Sequence, residues 1–228
     1  MIKDNLDRIN ANIEKAREAA SYDEDVKLLA VTKFRSNEEI KEVLDYGLNE
    51  FGENRVQELL RKYEDFRDYD VKWHLIGHLQ RNKVKSVVGK ACLIHSVDSE
   101  RIMKEINKQS ARQGIVQDIL IEFNIGEEEN KYGFRKEEAD KAFECAVRLE
   151  NINVRGVMCM APFIGDKEVL SGIFAELRKI YENYGKKYGK YDNINLDIIS
   201  MGMSNDYPIA IKEGSNLVRI GTSIFKGE

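Results

Sequence analysis

A lysine early in the chain has the chemistry needed to capture an aldehyde. Lys33 stands two positions after the end of a short apolar run, residues 28–31. A lysine at the rim of an apolar site loses its proton more easily, because desolvation disfavours the ammonium, and a neutral amine condenses with an aldehyde to give a Schiff base. An isolated lysine at this position would be better explained as a side chain that reaches from a strand end into water. The assignment therefore depends on what surrounds Lys33.

Two turns near the end of the chain, SMGMS and RIGTS, have the chemistry of a phosphate site. Gly221 permits close backbone approach, Ser204 and Thr222 offer hydroxyl donors, and backbone N–H groups at a helix start favour an anion. Ordinary turn chemistry explains such glycines as well. Arg219 suits the ring nitrogen of pyridoxal phosphate, although an arginine at a strand end can also bind a carboxylate. An amine opposite a phosphate cradle indicates a phosphorylated aldehyde, and pyridoxal 5'-phosphate is the candidate.

Eight apolar runs alternate with helical patterns and predict the elements that position these residues. The predicted strands are residues 28–31, 50–52, 73–76, 93–97, 119–124, 154–158, 196–200 and 217–220. This alternation favours a (β/α)8 TIM barrel over an open doubly wound sheet, since no G-x-G-x-x-G follows the first strand. The loops after strands seven and eight are the usual phosphate site of such barrels.

The flanking patterns complete the prediction of the fold. Apolar residues at spacings of three and four predict an extra N-terminal helix, with a stripe formed by Ile2, Leu6, Ile9, Ile13, Ala16 and Ala20. Ser36 and Glu39 form a capping-box signature at the start of the next helix. The charged, aromatic tract 184–192 is interpreted as a loop before strand seven.

Composition limits the class of protein. The 228 residues, 33% of them charged and 42% hydrophobic, fit one soluble domain covering residues 1–228. The longest strictly apolar stretch, 157–161, has five residues, so we expect no membrane partner. Charged residues interrupt the first helix, so we expect no signal peptide and a cytoplasmic location. A net charge of -4 argues against a nucleic-acid partner. Cys92, Cys145 and Cys159 lack metal-site spacing and are interpreted as small buried hydrophobes.

Seven segments resemble the pyridoxal phosphate homeostasis protein family, single-domain relatives of the alanine racemase N-terminal barrel. They are LLAVTKF, FGENRVQE, WHLIGHLQRNK, NKYGF, GVMCMAP, SMGMSNDYPIAI and VRIGTSIFKG. The resemblance implies Lys33 as the Schiff-base lysine and Arg219 near the pyridine nitrogen. It further implies a set of other residues around the cofactor: Ser204, Gly221 and Thr222 at the phosphate, Asn54 and Met201 lining the site, and Lys131 as a second lysine of interest.

Two positions depart from the pattern of the family. Arg35 stands where many relatives have a second lysine, and His78 stands where many have proline. The first departure leaves open whether cofactor passes between neighbouring amines. The second concerns the rigidity of a loop.

The sequence favours a non-catalytic carrier of pyridoxal phosphate. An arginine beside the ring nitrogen disfavours its protonation and weakens the ring as an electron sink. The sequence ends a few residues after Gly221, so we expect neither the second domain that supplies a catalytic tyrosine in the racemases nor their dimer. The expected state is a monomer that stores the cofactor or delivers it to apo-enzymes. His74, His78 and His95 are interpreted as structural residues rather than bases.

Two other functions remain open at the level of the sequence. One is a pyridoxal phosphate-dependent amino-acid racemase or lyase. The other is a class I aldolase, whose lysine would capture a sugar-phosphate aldehyde or ketone.

Overall fold

The computed structural model describes residues 1–126, 128 and 132–226, and the predicted site residue Lys131 lies outside them. Eight parallel strands close into a barrel in chain order, with β8 paired to β1. The strands are β1 (Lys27–Val31), β2 (Glu50–Glu53), β3 (Lys72–Leu75), β4 (Leu93–Val97), β5 (Gln117–Phe123), β6 (Ile152–Cys159), β7 (Ile194–Met203) and β8 (Leu217–Ile220). The predicted barrel is confirmed. The largest difference in strand bounds is at the end of β7, which continues to Met203.

Helices surround the barrel. They are α1 (Ile2–Glu18), α2 (Asn37–Asp45), α3 (Val56–Asp65), α4 (Val84–Val87), α5 (Glu100–Gln113), α6 (Ala139–Ala146), α7 (Lys167–Tyr188), α8 (Tyr207–Lys212) and α9 (Thr222–Phe225). The predicted capping box starts α2: the Ser36 hydroxyl accepts from the Glu39 amide, and the Glu39 carboxylate accepts from the Ser36 amide. Within the described residues, no helix is both long enough and apolar enough to cross a membrane.

The N-terminal helix α1 is confirmed and packs against the last two helices. Its stripe buries Ile2, Leu6, Ile9, Ile13 and Ala16, while Ala20 lies beyond its end. The Asn5 side-chain amide donates to the carbonyl oxygen of Ile224 in α9 at 2.9 Å, within a buried contact. This bond fastens α9, and therefore the turn that precedes it, to the first helix of the chain.

Two apolar clusters divide the core. The larger one lies between the barrel and its helices. A smaller cluster of Leu93, Leu120 and Met158 lies inside the barrel, with Ile198 packed on it. The inward direction follows from His95 of β4 and Ser200 of β7, which hydrogen-bond at 3.0 Å although their strands are not neighbours. Since side chains alternate along a strand, Leu93 and Ile198 face inward as well.

Two expectations about local structure are wrong. The tract 184–192 is not entirely loop, because α7 continues to Tyr188. The aromatic rings of Tyr184 and Tyr188 stack on the ring of Phe143 in α6, with centroid-to-centroid distances of 4.8 and 5.6 Å. This packing stabilises the helix beyond Gly185. Cys145 and Cys159 are buried as expected, but Cys92 is exposed.

Candidate functional site

The predicted site residues that the structure describes lie on one arc of the barrel mouth. All strands are parallel, so the loops that follow them share one end of the barrel. β7, β8, β1 and β2 are consecutive around the barrel. They contribute, in that order, Met201 and Ser204; Arg219, Gly221 and Thr222; Lys33; and Asn54.

The expectation that Lys33 stands opposite the phosphate cradle is corrected by the closure of the barrel. Ala30 of β1 pairs with Ile220 of β8, so the loop carrying Lys33 starts beside the loop carrying Gly221. A Cβ atom placed on Gly221 would lie 3.0 Å from the carbonyl oxygen of Val31. The first and last strands of the barrel are neighbours, and their side-by-side loops bring the backbone of Lys33 and of the cradle to the same part of the mouth.

Lys33 itself is exposed, whereas the sequence argument placed it at a desolvating rim. Lys33 begins a turn in which Phe34 has a left-handed φ of 62°. Residues other than glycine adopt this backbone conformation at a cost in free energy. The Arg55 guanidinium lies 5.6 Å from the centre of the Phe34 ring. The main chain therefore turns sharply directly after Lys33 and leaves its amine accessible.

A buried ion pair fixes the backbone just before Lys33. Lys62 of α3 and Glu53 of β2 are both fully buried and lie 2.5 Å apart, Nζ to Oε1. The same ammonium donates to the carbonyl oxygen of Thr32 at 2.7 Å, and the Thr32 hydroxyl donates to Glu53 Oε1 at 2.6 Å. These contacts join α3, β2 and the end of β1. Thr32 is 0% exposed. Sequence reasoning missed this cluster, since Lys62 looks like an ordinary helix-surface lysine.

Arg219 is buried at 3% exposure and points into the barrel. Its Nη1 donates to the Ser200 hydroxyl at 2.6 Å and its Nη2 donates to the carbonyl oxygen of Cys159 on β6 at 2.9 Å. Burial lowers the pKa of the guanidinium, and the negative charges of Asp206 and Glu122 act against that shift. An arginine retains its proton in proteins, so Arg219 is a fixed cation within the mouth.

Glu122 is a second interior group that the sequence analysis did not single out. It lies on β5 two residues after the inward Leu120 and is 2% exposed. Burial and then the charge of Asp98 raise the pKa of the Glu122 carboxyl to about 7, with Arg219 acting in the opposite direction. A buried carboxyl that titrates near neutral pH can take up or release a proton. Nothing in its spacing distinguishes it from an ordinary strand glutamate.

The turn after β7 is held by Asp206. Its carboxylate accepts from the Met203 amide at 2.5 Å, and the Asp206 amide donates back to the Met203 carbonyl oxygen at 3.1 Å. Ser204 lies inside this turn and is half-buried. Gly202 has a φ of 91°, and a Cβ on it would come within 2.7 Å of the Ala210 Cβ, so the turn packs tightly on α8.

Met201 at the end of β7 and Asn54 after β2 are the remaining predicted site residues. Ser200 faces inward, so the side chain of Met201 faces the helix layer, where it is fully buried. Met201 can therefore meet a ligand only through its backbone. Asn54 follows β2 and is half-buried. Its carbonyl oxygen would lie 2.1 Å from a Cβ on Gly77, which fits the close approach of the loops after β2 and β3.

The two departures from the family pattern have definite surroundings. Arg35 pairs with Glu39 at 3.2 Å, and its guanidinium lies 4.9 Å from the ring centre of Phe225 in α9. His78 contacts Asp98 at 2.8 Å and stacks on Tyr132 with ring centroids 3.6 Å apart. Both side chains have structural partners. His74 and His95 are buried inside the barrel and bonded to each other, which fits their interpretation as structural residues.

The donor set suits a phosphorylated aldehyde. The arc combines an accessible primary amine, a buried guanidinium, and the hydroxyls of Ser204 and Thr222. Thr222 and Ser223 open α9, and helix geometry leaves their amide groups without an acceptor inside the helix. Gly221 lets the backbone after β8 lie close to Val31 of β1, because a Cβ at that position would crowd the Val31 carbonyl oxygen. An amine reacts with a carbonyl and amides and hydroxyls bind a phosphate, so these residues fit pyridoxal phosphate.

Comparison with known proteins supports the same chemistry. Residues 5–228 match the family described as alanine racemase, N-terminal domain. A pyridoxal phosphate homeostasis protein from Aquifex aeolicus is 43% identical over 221 residues, which are 96% of this chain and 95% of that protein.

Solved structures are similar over the whole barrel. PipY from Synechococcus elongatus superposes with a TM-score of 0.88 without PLP and 0.85 with PLP bound. The identities are 28% and 27%, with 99% of this chain and all of each PipY chain covered. An alanine racemase from Clostridium difficile is 17% identical and superposes with a TM-score of 0.74. The superposition covers 97% of this chain and 59% of the racemase chain. That last likeness concerns the fold alone.

Proposed function

Since this chain belongs to the pyridoxal phosphate homeostasis protein family, we propose that it binds pyridoxal 5'-phosphate and serves in its storage and delivery inside the cell, without catalysing a reaction. The proposal rests above all on the pairing of β1 with β8, which brings an accessible amine beside a phosphate-type cradle. The PLP held by PipY, a similar barrel over its full length, supports the choice of ligand.

In the proposed complex Lys33 holds the coenzyme covalently. Pyridoxal phosphate, when bound, would supply an aldehyde, and the Lys33 amine would be the group that condenses with it, with loss of water. Ser204, Gly221 and Thr222 bind the phosphate, while Arg219 meets the ring nitrogen. Asn54 and the Met201 backbone line the remaining wall. The exposure of Lys33 supports a site that a ligand enters and leaves from solvent.

Borohydride trapping tests the assignment of Lys33. Reduction followed by peptide mapping should leave the phosphopyridoxyl group on Lys33, and Lys33→Ala should lose the visible absorption of the Schiff base. Lys27→Ala is the matched control, because Lys27 is an exposed lysine at the opposite end of the same strand. Label on another lysine, together with an unchanged spectrum in Lys33→Ala, would refute the proposal.

The charge of Arg219 supports a carrier rather than an enzyme. A guanidinium donates hydrogen bonds and accepts none, so a ring nitrogen facing it is held unprotonated and the ring withdraws electrons poorly. Racemisation or lyase chemistry needs that electron withdrawal together with a positioned base.

One observation favours the alternative of an amino-acid racemase or lyase. Burial raises the pKa of Glu122 in the barrel interior to about 7, a suitable value for general acid–base chemistry. Incubation of amino acids with the coenzyme-loaded protein in heavy water separates the two functions. A carrier leaves the α-protons in place, whereas exchange that disappears in Glu122→Gln would establish catalysis.

We propose further that residues 1–228 act as one coenzyme-binding domain, as a cytoplasmic monomer that hands pyridoxal phosphate to apo-enzymes. Light scattering on the loaded protein measures the oligomeric state. Transfer is measured by mixing the loaded protein with a pyridoxal phosphate-dependent apo-enzyme and following its activation. Activation no faster than with the same concentration of free coenzyme would leave storage as the function.

A further inference from the structure

A chain of buried polar side chains crosses the barrel interior behind Arg219. The Arg219 Nη1 lies 2.6 Å from the Ser200 hydroxyl, which lies 3.0 Å from His95 Nδ1. His95 Nε2 lies 3.0 Å from His74 Nδ1, and His74 Nε2 lies 3.5 Å from a carboxylate oxygen of Glu50. These groups come from β8, β7, β4, β3 and β2.

Burial separates this chain from solvent over most of its length. Ser200 and His95 are 0% exposed, Arg219 is 3% exposed and His74 is 4% exposed. Glu50, at the amino end of β2, is half-buried and also pairs with Lys72 at 3.5 Å. The chain therefore begins at the mouth of the barrel, in the site proposed for the coenzyme, and ends near the opposite rim.

The arginine and the need to pair the buried Ser200 hydroxyl proton together favour one direction for the hydrogen bonds from Arg219 to His74. Arginine only donates, so the Ser200 hydroxyl accepts from it and is free to donate its own proton to His95 Nδ1. A neutral His95 then carries its proton on Nε2 and donates to His74 Nδ1. His74 in turn carries its proton on Nε2, which has no hydrogen-bond partner among the residues that the structure describes and lies 3.5 Å from a carboxylate oxygen of Glu50. This direction places both imidazoles in the Nε2–H tautomer, which spacing along the sequence could not reveal.

The surrounding charges favour neutral imidazoles. Burial lowers the pKa of His95 well below its usual value, and positive charge on His74 or Arg219 lowers it further. Burial lowers the pKa of His74 to about 4; Lys27 and Lys72 act in the same direction and Glu50 acts against them. A proton added to either ring would place a second buried cation close to Arg219 or turn a donor toward a donor.

We propose that Ser200, His95 and His74 are positioning residues for Arg219, forming a one-directional hydrogen-bond chain that fixes the guanidinium in the mouth. The part of this statement that concerns the coenzyme rests on the proposed function, because Arg219 there meets the ring nitrogen. The hydrogen-bond chain itself is a property of the ligand-free protein. The two parts are therefore tested separately.

Nitrogen NMR of the ligand-free protein tests the chain itself. The sequence contains three histidines, so ¹⁵N-histidine labelling gives a simple spectrum, and His78→Asn identifies the remaining two. We expect His74 and His95 to be neutral Nε2–H tautomers at pH 7. Ser200→Ala removes the directing hydroxyl and should produce a mixture of tautomers at His95. A charged ring, or an Nδ1–H tautomer at either position in the wild type, would overturn the proposal.

Coenzyme titrations test the positioning role. Ser200→Ala should weaken pyridoxal phosphate binding roughly tenfold and shift the pH midpoint of the visible band, because the guanidinium keeps only its hydrogen bond to the Cys159 carbonyl oxygen. His95→Phe should have the same effect. His95→Asn should restore much of the wild-type behaviour, since its side-chain oxygen can accept from Ser200 in place of Nδ1.

Ser96→Ala is the matched control for these variants. Ser96 is a buried serine next to His95 on β4, and its hydroxyl donates to the Gly77 carbonyl oxygen at 2.6 Å, outside the chain. This variant should lose stability without a shift of the pH midpoint. The contrary result is that Ser200→Ala and His95→Phe bind coenzyme with the same pH midpoint of the visible band as Ser96→Ala. That result would refute the positioning role and leave the proposed function intact. If the wild type binds no coenzyme, the proposed function fails and the NMR result still decides the chain.

Discussion

At the scale of single residues, Ser204 distinguishes recognition of the phosphate from recognition of the ring. Its hydroxyl lies in the turn that Asp206 holds after β7. Ser204→Ala should weaken binding of pyridoxal phosphate by about 1–3 kcal/mol, through loss of one charge-assisted hydrogen bond. Binding of pyridoxal, which has no phosphate, should be unaffected. Absorbance titration with each compound measures the two affinities.

Ser99→Ala is a suitable comparison for this variant. Ser99 caps α5 with its hydroxyl, and it lies after β4, away from the arc. Its loss should leave the affinity for both compounds unchanged. An equal loss of affinity for pyridoxal and pyridoxal phosphate in Ser204→Ala would place the phosphate elsewhere.

The candidate site was predictable from the sequence wherever a residue follows a strand directly. Lys33, Ser204 and Thr222 come after apolar runs, and a parallel barrel gathers such positions at one end. The partners of Arg219 were not predictable, because Ser200 reaches it through the barrel interior rather than along the chain. The outward direction of Met201 depends on the inward direction of Ser200 and was missed for the same reason.

At the scale of elements, one buried ion pair joins α3, β2 and the end of β1. Lys62→Met should destabilise the protein by about 3–5 kcal/mol, because Glu53 is left as an uncompensated buried charge. The double variant Lys62→Met/Glu53→Gln should recover much of this loss, since the amide carries no charge and its oxygen can still accept from Thr32. Urea unfolding measures both free energies.

A surface lysine provides the reference for that measurement. Lys85 lies exposed on α4, and Lys85→Met should change the free energy of unfolding by about 0.5 kcal/mol or less. A double variant less stable than Lys62→Met alone would mean that the charge of Glu53 is not what destabilises the single variant.

The order of elements was predictable, and the length of α7 was not. Apolar runs and helical spacing gave all eight strands because a buried strand and an amphipathic helix leave different periodicities. The extension of α7 to Tyr188 depends on stacking with Phe143, which belongs to another helix. Local composition, rich in glycine and lysine, favoured a loop there, and packing between the two helices outweighed it.

At the scale of the whole molecule, two interior groups give stability opposite dependences on pH. Burial lowers the pKa of His74 from 6.5 to about 4, so its contribution is present above pH 6.5 and is lost as the pH falls toward 4. Burial raises the pKa of Glu122 from 4.5 to about 7, so its contribution is present below pH 4.5 and is lost as the pH rises through 7. Between pH 4.5 and 6.5 the two contributions offset each other.

Single variants should expose these opposite dependences. At about 1.36 kcal/mol per pKa unit, each group changes the free energy of unfolding by about 2–3 kcal/mol across this window. In Glu122→Gln the slope of stability against pH should be more positive than in wild type, because the contributions of His74 and His95 remain and the opposing one is removed. In His74→Asn the slope should be less positive than in wild type, because one of the two imidazole contributions is lost. Urea unfolding at several pH values measures the slopes, with wild type as the reference.

Parallel slopes in the two variants and the wild type would contradict this account. The comparison is internal, since all three proteins share the same exposed carboxylates and lysines. Those exposed groups shift all three curves together and leave the differences between them unchanged.

The junction between β8 and β1 has a consequence for biosynthesis. Lys33 emerges from the ribosome long before Arg219, Gly221 and Thr222, and they meet only when the barrel closes. A nascent chain therefore cannot hold the coenzyme until its last strand has docked. Coenzyme capture would then mark completed closure, and by mass action the ligand would favour the closed form over partly assembled ones.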